Sequence, residues 1–224
     1  MIVKRITPID SSRHPSQKLL LFFAGWGMDE NPFAEYCNTD CDFMITYDYD
    51  SLSFDDTFLK SYNEIKIVAW SMGVWAASQL LQDKDFPVVE STAINGTIFP
   101  IDDKKGIPDK IFDATLNNLN ENTLYKFQRR MCGSSDALKR FLDKPPTRGI
   151  DSLRKELTSI GKSALSPNAS NFNWSKVYIS NRDKIFPPEN QLRAWEGANY
   201  TVIDEEHYPE KLFKELFDRK IQYL

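Results

Sequence analysis

The sequence predicts an α/β protein with a mostly parallel sheet, helices on both faces and a helical insertion. Short apolar runs rich in β-branched residues alternate with helix-like stretches through residues 1–99 and again through 173–224, as connected parallel strands require. Between them, apolar residues recur only at helical spacing. We therefore expect a core made of residues 1–99 and 173–224, and a helical lid at residues 100–172.

The predicted strands are short apolar segments, several of which end at turn-forming residues. In chain order they cover residues 2–6, 18–23, 43–47, 65–70, 88–95, 176–180 and 199–203. Predicted helices in the core cover residues 31–36, 72–83, 191–195 and 210–217. Helices between parallel strands cover both faces of a sheet, so polar residues that follow the strands should gather at its carboxyl edge.

The predicted lid has three sets of apolar residues at helical intervals. They are Leu116, Leu119, Leu124, Phe127 and Met131; Leu138, Phe141 and Leu142; and Ile150, Leu153, Leu157 and Ile160. Residues 101–172 contain 13 lysines and arginines against 9 aspartates and glutamates, whereas the whole chain has a net charge of −4. A basic segment in an acidic protein is a candidate docking surface for an anionic partner, although solvated helix faces would give the same balance.

Composition argues against several classes of protein. With 224 residues, 41% hydrophobic and 27% charged, the chain suits one folded domain with a sizeable core. Its net charge of −4 does not favour nucleic-acid binding. The longest apolar run, residues 19–25, is too short to cross a bilayer, and the first residues do not resemble a signal peptide. We expect a cytoplasmic monomer with no membrane or nucleic-acid partner.

The cysteines predict neither a disulfide framework nor a metal site. Cys37, Cys41 and Cys132 are odd in number and lack the spacing of disulfide-rich domains, so we expect reduced thiols. No histidine lies near Cys37 and Cys41 in sequence, which argues against zinc. No phosphate-binding G-x-x-x-x-G-K-[ST] loop occurs. The chemistry should therefore need no metal and no organic cofactor.

The candidate nucleophile is Ser71, in Ala69-Trp70-Ser71-Met72-Gly73 at the junction of a predicted strand and helix. This is a variant of G-x-S-x-G, in which a serine on a sharp strand-to-helix turn exposes its Oγ. Strand and helix pack so closely there that the residues two before and two after must be small, and Ala69 meets that need. An ordinary buried serine at the start of a helix could have the same sequence pattern.

Two possible partners for the serine follow later strands. A serine nucleophile needs a base, and the base needs a group that orients it. His207 follows the last predicted strand and Asp183 the strand before it, so both should reach the same sheet edge as Ser71. Asp204 is a rival acid, but it lies only three residues from His207. His14, in an early polar turn, is predicted to lie at the surface.

Gly25-Trp26-Gly27, directly after an early strand, is the candidate for the second half of an oxyanion hole. The backbone N–H groups of Met72 and Trp26 are the expected donors, each typically worth about 3 kcal/mol in the transition state. Trp26 and Trp70 flank the serine and would offer flat apolar walls to a substrate. Core packing explains the two tryptophans equally well.

Four stretches together resemble the BioG-type pimeloyl-acyl-carrier-protein methyl ester esterases, α/β-hydrolases of biotin synthesis. The matching residues are Phe22-Phe23-Ala24-Gly25-Trp26-Gly27-Met28, Val68-Ala69-Trp70-Ser71-Met72-Gly73, Asn181-Arg182-Asp183-Lys184-Ile185-Phe186-Pro187-Pro188 and His207. The order Ser71, Asp183, His207 is that of the triad in this superfamily. Other esterases of the pathway usually carry histidine and glycine at the positions of Ala24 and Ala69, and these departures fit the BioG type.

The resemblance implies a substrate and a partner. The substrate would be the methyl ester of a pimeloyl group on acyl carrier protein, and the products would be the free distal carboxylate and methanol. Trp26 and Trp70 would line the acyl channel. Because the carrier and its phosphopantetheine arm are anionic, the basic lid helices are the expected contact. The candidate contacts, chosen by their clustering, are Arg129, Arg130, Lys139 and Arg140.

Two other functions fit the residues. A general short-chain carboxylesterase or thioesterase would use the same serine, histidine and aspartate. A protein of this fold that binds a ligand or partner without catalysis would not need them. The intact set of Ser71, Asp183 and His207 argues against the second alternative.

Overall fold

The structure, a computed structural model, describes residues 1–6, 17–36, 41–164 and 170–218. The strands in these residues form a seven-stranded sheet of order β1-β3-β2-β4-β5-β6-β7, in which only β1, which pairs with β3, runs antiparallel. The strands are β1 Ile2–Arg5, β2 Lys18–Phe23, β3 Asp42–Tyr47, β4 Glu64–Trp70, β5 Val88–Ile94, β6 Lys176–Ser180 and β7 Tyr200–Ile203. His14 and Cys37 lie outside the described residues.

Seven α-helices accompany the sheet in the part of the chain that the structure describes. They are α1 Met72–Leu81, α2 Asp109–Asn117, α3 Glu121–Cys132, α4 Ser135–Asp143, α5 Ile150–Ala164, α6 Pro188–Ala194 and α7 Glu210–Asp218. Helices α2 to α5 follow one another between β5 and β6, within the segment for which the sequence predicts a lid. Each of the seven is too short or too polar to cross a membrane.

The central strands are the most apolar segments because helices cover them on both faces. In β2, every residue after Lys18 is buried, and β4 ends in four consecutive buried residues. The edge strand β7 shows the opposite pattern, with Tyr200 and Val202 largely exposed. The sheet therefore buries its centre and brings the polar turns after β4, β5, β6 and β7 to one edge.

Two predicted helices have different bounds in the structure. The helix predicted at 31–36 is only a short 3-10 helix, Asn31–Phe33, whose N-terminus has no side-chain cap. Helix α6 begins at Pro188 rather than at residue 191, because the fixed φ of proline suits the first helical position. Cys41 and Cys132 are buried, and burial raises the pKa of the Cys132 thiol to about 12.

The packing around the turn between β4 and α1 requires glycine at two positions, one in α1 and one after β5. A Cβ atom at Gly73 would lie 2.2 Å from the backbone O of Phe23, and one at Gly96 would lie 2.2 Å from the backbone O of Ser71. Real Cβ atoms do not approach backbone so closely, and backbone cannot move aside as a flexible side chain can. The close approach explains the glycine two residues after Ser71 in the serine motif.

Gly73→Ala should therefore destabilise the fold, although alanine is the better helix former. Overpacking costs about 1–3 kcal/mol, which for a chain of this size lowers Tm by roughly 2–12 °C. Calorimetry measures the change. Gly149→Ala is the matched control, since a Cβ there would have no atom within 4 Å. Equal Tm values for the two variants would contradict the steric argument.

Candidate active site

Three side chains that the sequence nominates meet at the carboxyl edge of the sheet. Ser71 follows β4, Asp183 follows β6 and His207 follows β7. The distance from His207 Nε2 to Ser71 Oγ is 3.0 Å, and that from His207 Nδ1 to Asp183 Oδ2 is 2.8 Å. All three side chains are buried. With Nδ1 protonated, the ring donates to the carboxylate and Nε2 accepts from the hydroxyl.

Ser71 adopts a backbone conformation that few L-residues use. Its φ of 58° and ψ of −128° place it on a tight corner between strand and helix, and such conformations cost about 1–3 kcal/mol. Two hydrogen bonds hold the corner: Ser71 N donates to Ile94 O at 2.9 Å, and Val74 N donates to Ser71 O at 3.0 Å. The strain presents the hydroxyl to His207.

The Asp183 carboxylate accepts four hydrogen bonds. Oδ1 accepts from the backbone N–H groups of Ile185 and Phe186 at 2.8 and 2.9 Å, and Oδ2 accepts from His207 and from Gln191 Nε2 at 3.0 Å. These donors fix the orientation of the carboxylate beside the His207 ring.

The rival acid Asp204 is not in reach of the histidine ring. Its Oδ1 pairs with Arg182 Nη1 at 2.6 Å on the surface, and its side chain is 73% exposed. The geometry therefore assigns the carboxylate beside His207 to Asp183.

The loop that carries His207 is held from the neighbouring strands. Its backbone O accepts from Trp70 Nε1 at 2.8 Å and from Asn95 Nδ2 at 3.0 Å. Asn95, which follows β5 with a φ of 47°, also accepts from Ser180 N at 2.7 Å through its Oδ1. One asparagine side chain thus joins the ends of β5 and β6 to the histidine loop.

The placement of Trp70 corrects one expectation. Its ring packs against Tyr208 and Phe213, its indole N–H is bonded to the His207 carbonyl, and only 1% of the residue is exposed. It does not line the pocket beside Ser71. Trp70 therefore supports the histidine loop, and the prediction that it walls the acyl channel is wrong in this structure.

Trp26 and Met72 do line the pocket beside Ser71. Neither backbone N–H donates a hydrogen bond to any of the residues that the structure describes. The Trp26 ring packs edge-on against Phe127 at 5.0 Å, and its Nε1 donates to Leu153 O in α5 at 3.0 Å. The side chain is thus anchored to the helical segment, while the backbone forms the loop after β2.

The pocket is narrow and mostly apolar. Its volume is about 30 Å³, and it is lined by Trp26, Ser71, Met72, Ile107, Ile111, Phe112, Thr115, Phe127, Arg130, Leu157, Lys184 and Ile185. Five of these residues also line a groove of about 720 Å³ between α2 and α3. The two spaces therefore adjoin, and the groove leads from the surface towards Ser71.

The groove is basic. Lys126, Arg129, Arg130 and Lys184 line it, and none of the described lining residues is a carboxylate. All four side chains are exposed, and no ion pair joins any of them to a carboxylate in the described part of the chain. Their charge is therefore available to an anion that enters the groove.

Lys139 and Arg140, predicted to act with Arg129 and Arg130, do not line this groove. Arg140 Nε and Nη2 donate to Glu210 Oε2 at 2.9 and 2.8 Å. That ion pair joins α4 to α7. Of the four predicted carrier contacts, Arg129 and Arg130 line the groove together with Lys126 and Lys184, and the contact of all four with a carrier stays a prediction.

Sequence reasoning also missed two residues that support the site, Asn95 and Gln191. For the basic groove a signal was present: Lys126 lies three and four positions before Arg129 and Arg130, on one helix face, and Lys184 is adjacent to Asp183. Gln191 gave no such signal, since nothing distinguishes it from other polar residues of an amphipathic helix.

Comparison with known proteins gives the family. The family model "Pimeloyl-ACP methyl esterase BioG" matches residues 9–218. The chain belongs to the BioG family. The crystal structure of BioG from Haemophilus influenzae superposes with a TM-score of 0.85 and 37% identity, covering 96% of this chain and 97% of that one.

Two relatives extend this assignment. A malonyl-[acyl-carrier protein] O-methyltransferase of Bacteroides fragilis is 52% identical over 201 residues, which are 89% of this chain. This chain spans only 41% of the length of that relative. An uncharacterized protein of Haemophilus influenzae is 38% identical over 198 residues, covering 87% of this chain and 90% of the relative.

More distant structures confirm the predicted fold class. A lipase-esterase related protein of Clostridium acetobutylicum has a TM-score of 0.61 at 12% identity, covering 96% of this chain and 97% of that one. An α/β hydrolase from a deep-sea metagenome has a TM-score of 0.62 at 15% identity, covering 99% and 96%. This member of the BioG family has the α/β-hydrolase fold.

Proposed function

We propose that this chain is a serine esterase that hydrolyses the methyl ester of a pimeloyl group carried on acyl carrier protein. The observation that carries the proposal is the 3.0 Å approach of Ser71 Oγ to His207 Nε2, beside an apolar pocket that adjoins a basic groove. A hydroxyl, an imidazole and a buried carboxylate in this relation are the parts that nucleophilic ester hydrolysis needs. The BioG family match supplies the substrate class.

In the first half of the reaction, Ser71 Oγ attacks the ester carbonyl as His207 Nε2 takes its proton. The carbonyl oxygen becomes an oxyanion, which the N–H groups of Trp26 and Met72 stabilise. Asp183 holds the imidazole in the required tautomer and stabilises its positive charge. The tetrahedral intermediate then collapses, the C–O bond to the methoxy group breaks, and His207 donates its proton so that methanol leaves.

In the second half, water replaces methanol. His207 removes a proton from the water as its oxygen attacks the acyl-serine carbonyl. Collapse of the second tetrahedral intermediate returns the proton to Ser71 Oγ and frees the distal carboxylic acid, which ionises near neutral pH. The acyl group stays attached to its carrier throughout, because the thioester at its other end takes no part.

The two spaces divide the substrate between them. The apolar pocket next to Ser71 suits the methylene chain, and the basic groove suits the phosphate of the carrier arm and the acidic carrier itself. The pocket, at about 30 Å³, holds only a few atoms. Helices α2 and α3, which contribute Ile111 and Phe127 to its lining, would therefore separate when the acyl chain enters.

The activity in the printed name of the Bacteroides fragilis relative is not proposed for this chain. The chain matches less than half of that methyltransferase. The site formed by Ser71, His207 and Asp183 is arranged for transfer of an acyl group to a hydroxyl and then to water, which is ester hydrolysis rather than methyl transfer.

Intact-protein mass spectrometry of the carrier tests the proposal. We expect carrier loaded with the pimeloyl methyl ester to lose the mass of one CH2 unit, while the shortened acyl group stays attached. Release of the whole acyl group would instead show a thioesterase. If the carrier and a panel of small methyl esters all remain unchanged, the non-catalytic alternative stands and the proposal fails.

Charge reversal in the groove should separate carrier binding from chemistry. Lys126→Glu with Arg129→Glu replaces two cations that line the groove but not the pocket beside Ser71. Because reversed charges repel an acidic partner, we expect KM for the carrier-bound ester to rise about tenfold or more. KM for a small neutral methyl ester should change much less.

The matched control for this charge reversal is Lys60→Glu. Lys60 is exposed and lies just before β4, at the amino edge of the sheet. It should alter neither KM value appreciably. If the groove variant changes both substrates in the same proportion, or if Lys60→Glu has the same effect, the groove is not the docking surface.

A further inference from the structure

Gln191 is a buried amide in direct contact with the carboxylate of Asp183. It lies on α6, eight residues after Asp183, and none of its surface is exposed. Its Nε2 donates to Asp183 Oδ2 at 3.0 Å and to Phe186 O at 2.8 Å. Both hydrogens of the amide are therefore used on the turn that carries the acid.

We propose that Gln191 is a positioning residue of the triad, which fixes the rotation of the Asp183 carboxylate so that Oδ2 faces His207. The inference rests on the proposed serine mechanism and adds a fourth side chain to it. Oδ1 is already held by two backbone N–H groups of its own turn. Among the described residues, Oδ2 has two donors, His207 and Gln191. There, the amide is therefore its only support other than the ring that it must orient.

The unpaired end of the amide supports a functional reading. Gln191 Oε1 has no hydrogen-bond partner in the described part of the chain, and a buried acceptor without a partner costs about 1–3 kcal/mol. Turning the amide over would not relieve this cost, because Oε1 would then face the Asp183 carboxylate and the Phe186 carbonyl. A methionine of similar size would avoid the unpaired acceptor, but it could not donate to Asp183.

The amide should also affect how readily His207 takes up a proton. Each donor to Asp183 disperses the carboxylate charge and weakens its attraction for the imidazolium. The other charged groups nearby are Glu206, whose Oε1 pairs with Arg182 Nε at 3.0 Å, and Arg130 and Lys184 in the pocket lining. None of these four makes a hydrogen bond or ion pair with Asp183 or with the His207 ring in the described structure.

Gln191→Met tests the proposal on a small methyl ester. Since a misplaced catalytic group can cost about 10²-fold in rate, we expect kcat to fall by about 10- to 100-fold with little change in KM. With one donor fewer on Asp183, the acid limb of the kcat/KM profile should move towards higher pH. A purely structural residue would not move that limb.

Asn190→Leu is the matched control on the same helix. Asn190 is a buried amide whose Nδ2 donates to the backbone O atoms of Asp103 and Gly106, away from the triad. It should lower Tm about as much as Gln191→Met but leave kcat and the pH profile within about twofold of the wild type. An unchanged pH profile in Gln191→Met, or the same change in both variants, would overturn the proposal.

A second readout needs no enzymatic turnover. The chain contains two histidines, so NMR of protein labelled at histidine nitrogen can follow the titration of the His207 ring directly. We expect the midpoint of this titration to rise in Gln191→Met. If the methionine variant does not fold, Gln191→Asn, which shortens the side chain, should show the same rise. If Ser71→Ala keeps the activity of the wild type, the serine mechanism itself fails. That result is distinct from failure of the positioning role of Gln191, which leaves the serine mechanism intact.

Discussion

Ser71→Ala should lower kcat for methyl ester hydrolysis by about 10⁴- to 10⁶-fold while leaving the protein folded. The variant loses the only hydroxyl within hydrogen-bond distance of His207 Nε2 in the described structure. The remaining rate would come from the Trp26 and Met72 N–H groups acting on water attack. Methanol release under single-turnover conditions measures the effect, and circular dichroism verifies the fold.

Ser78→Ala is the matched control for the nucleophile. Ser78 is a buried serine on the same helix, whose Oγ donates to Val74 O at 2.7 Å and accepts from Trp174 Nε1 at 3.0 Å. Its loss should cost about 1 kcal/mol of stability and leave kcat within a few fold. If Ser71→Ala keeps a tenth or more of the wild-type kcat, Ser71 is not the nucleophile.

Arg148→Met should lower the free energy of unfolding by about 3–5 kcal/mol near neutral pH, because it leaves a buried carboxylate without its cation. Arg148 Nη1 lies 2.7 Å from Glu156 Oε2, and Nη2 lies 2.8 Å from Asp48 Oδ1. The Glu156 side chain has no exposed surface. These contacts join α5 to the loop after β3, and urea denaturation measures their loss.

The deficit of Arg148→Met should grow with pH. Burial raises the pKa of Glu156 above its ordinary value, although Arg148 opposes the shift. Without Arg148 that pKa rises further, so the native variant holds a proton that the unfolded chain releases. Stability from such a group is complete below the unfolded pKa and is lost as the pH rises through the folded one. Unfolding measured between about pH 5 and pH 8 should show the trend.

The double variant Arg148→Met, Glu156→Leu separates charge from packing. It removes both buried charges and replaces them with apolar side chains, so it should recover most of the lost stability. The loss of stability that remains in the double variant should not vary with pH through residue 156, because leucine does not ionise. A double variant as unstable as Arg148→Met, or a single-variant deficit that does not vary with pH, would contradict the account.

Other contacts of the α5 region hold the loop that carries Trp26, one of the two proposed oxyanion donors. Helix α5 accepts the indole N–H of Trp26 at Leu153 O, and Asp29, just after Trp26, accepts from Thr147 N at 2.7 Å just before α5. Loosening Arg148 therefore frees the loop after β2 as well as the helix. A fall in kcat in Arg148→Met, reversed in the double variant, would show that the loop is positioned from α5.

The strands of the core were predictable because burial on both faces leaves near-continuous apolar segments. The bounds of β2 and β6 agree with the prediction to the residue. The prediction of a helix at residues 31–36 was wrong, since the structure has only a three-residue 3-10 helix there. A proline near the start suits both kinds of helix, so the sequence does not distinguish them. The junction of β4 and α1 was well predicted because a local steric rule, the need for a small residue at Gly73, sets it. Helix ends that depend on tertiary contacts were predicted less well.

For the site, chain order carried the prediction. Ser71, Asp183 and His207 each follow a parallel strand, and parallel strands place their carboxyl ends at one edge. The roles of the tryptophans could not be predicted, because Trp26 and Trp70 differ only in what each indole meets in the fold. The same holds for Arg140, whose partner Glu210 is 70 residues away in sequence.

Covalent labelling tests the central claim most directly. Wild-type protein treated with a fluorophosphonate, digested and mapped by mass spectrometry should carry one adduct, on Ser71, because His207 makes that hydroxyl a nucleophile. His207→Gln should lose most of the labelling. No adduct, or an adduct on a residue remote from His207, would contradict the proposal that this edge of the sheet holds a serine hydrolase site.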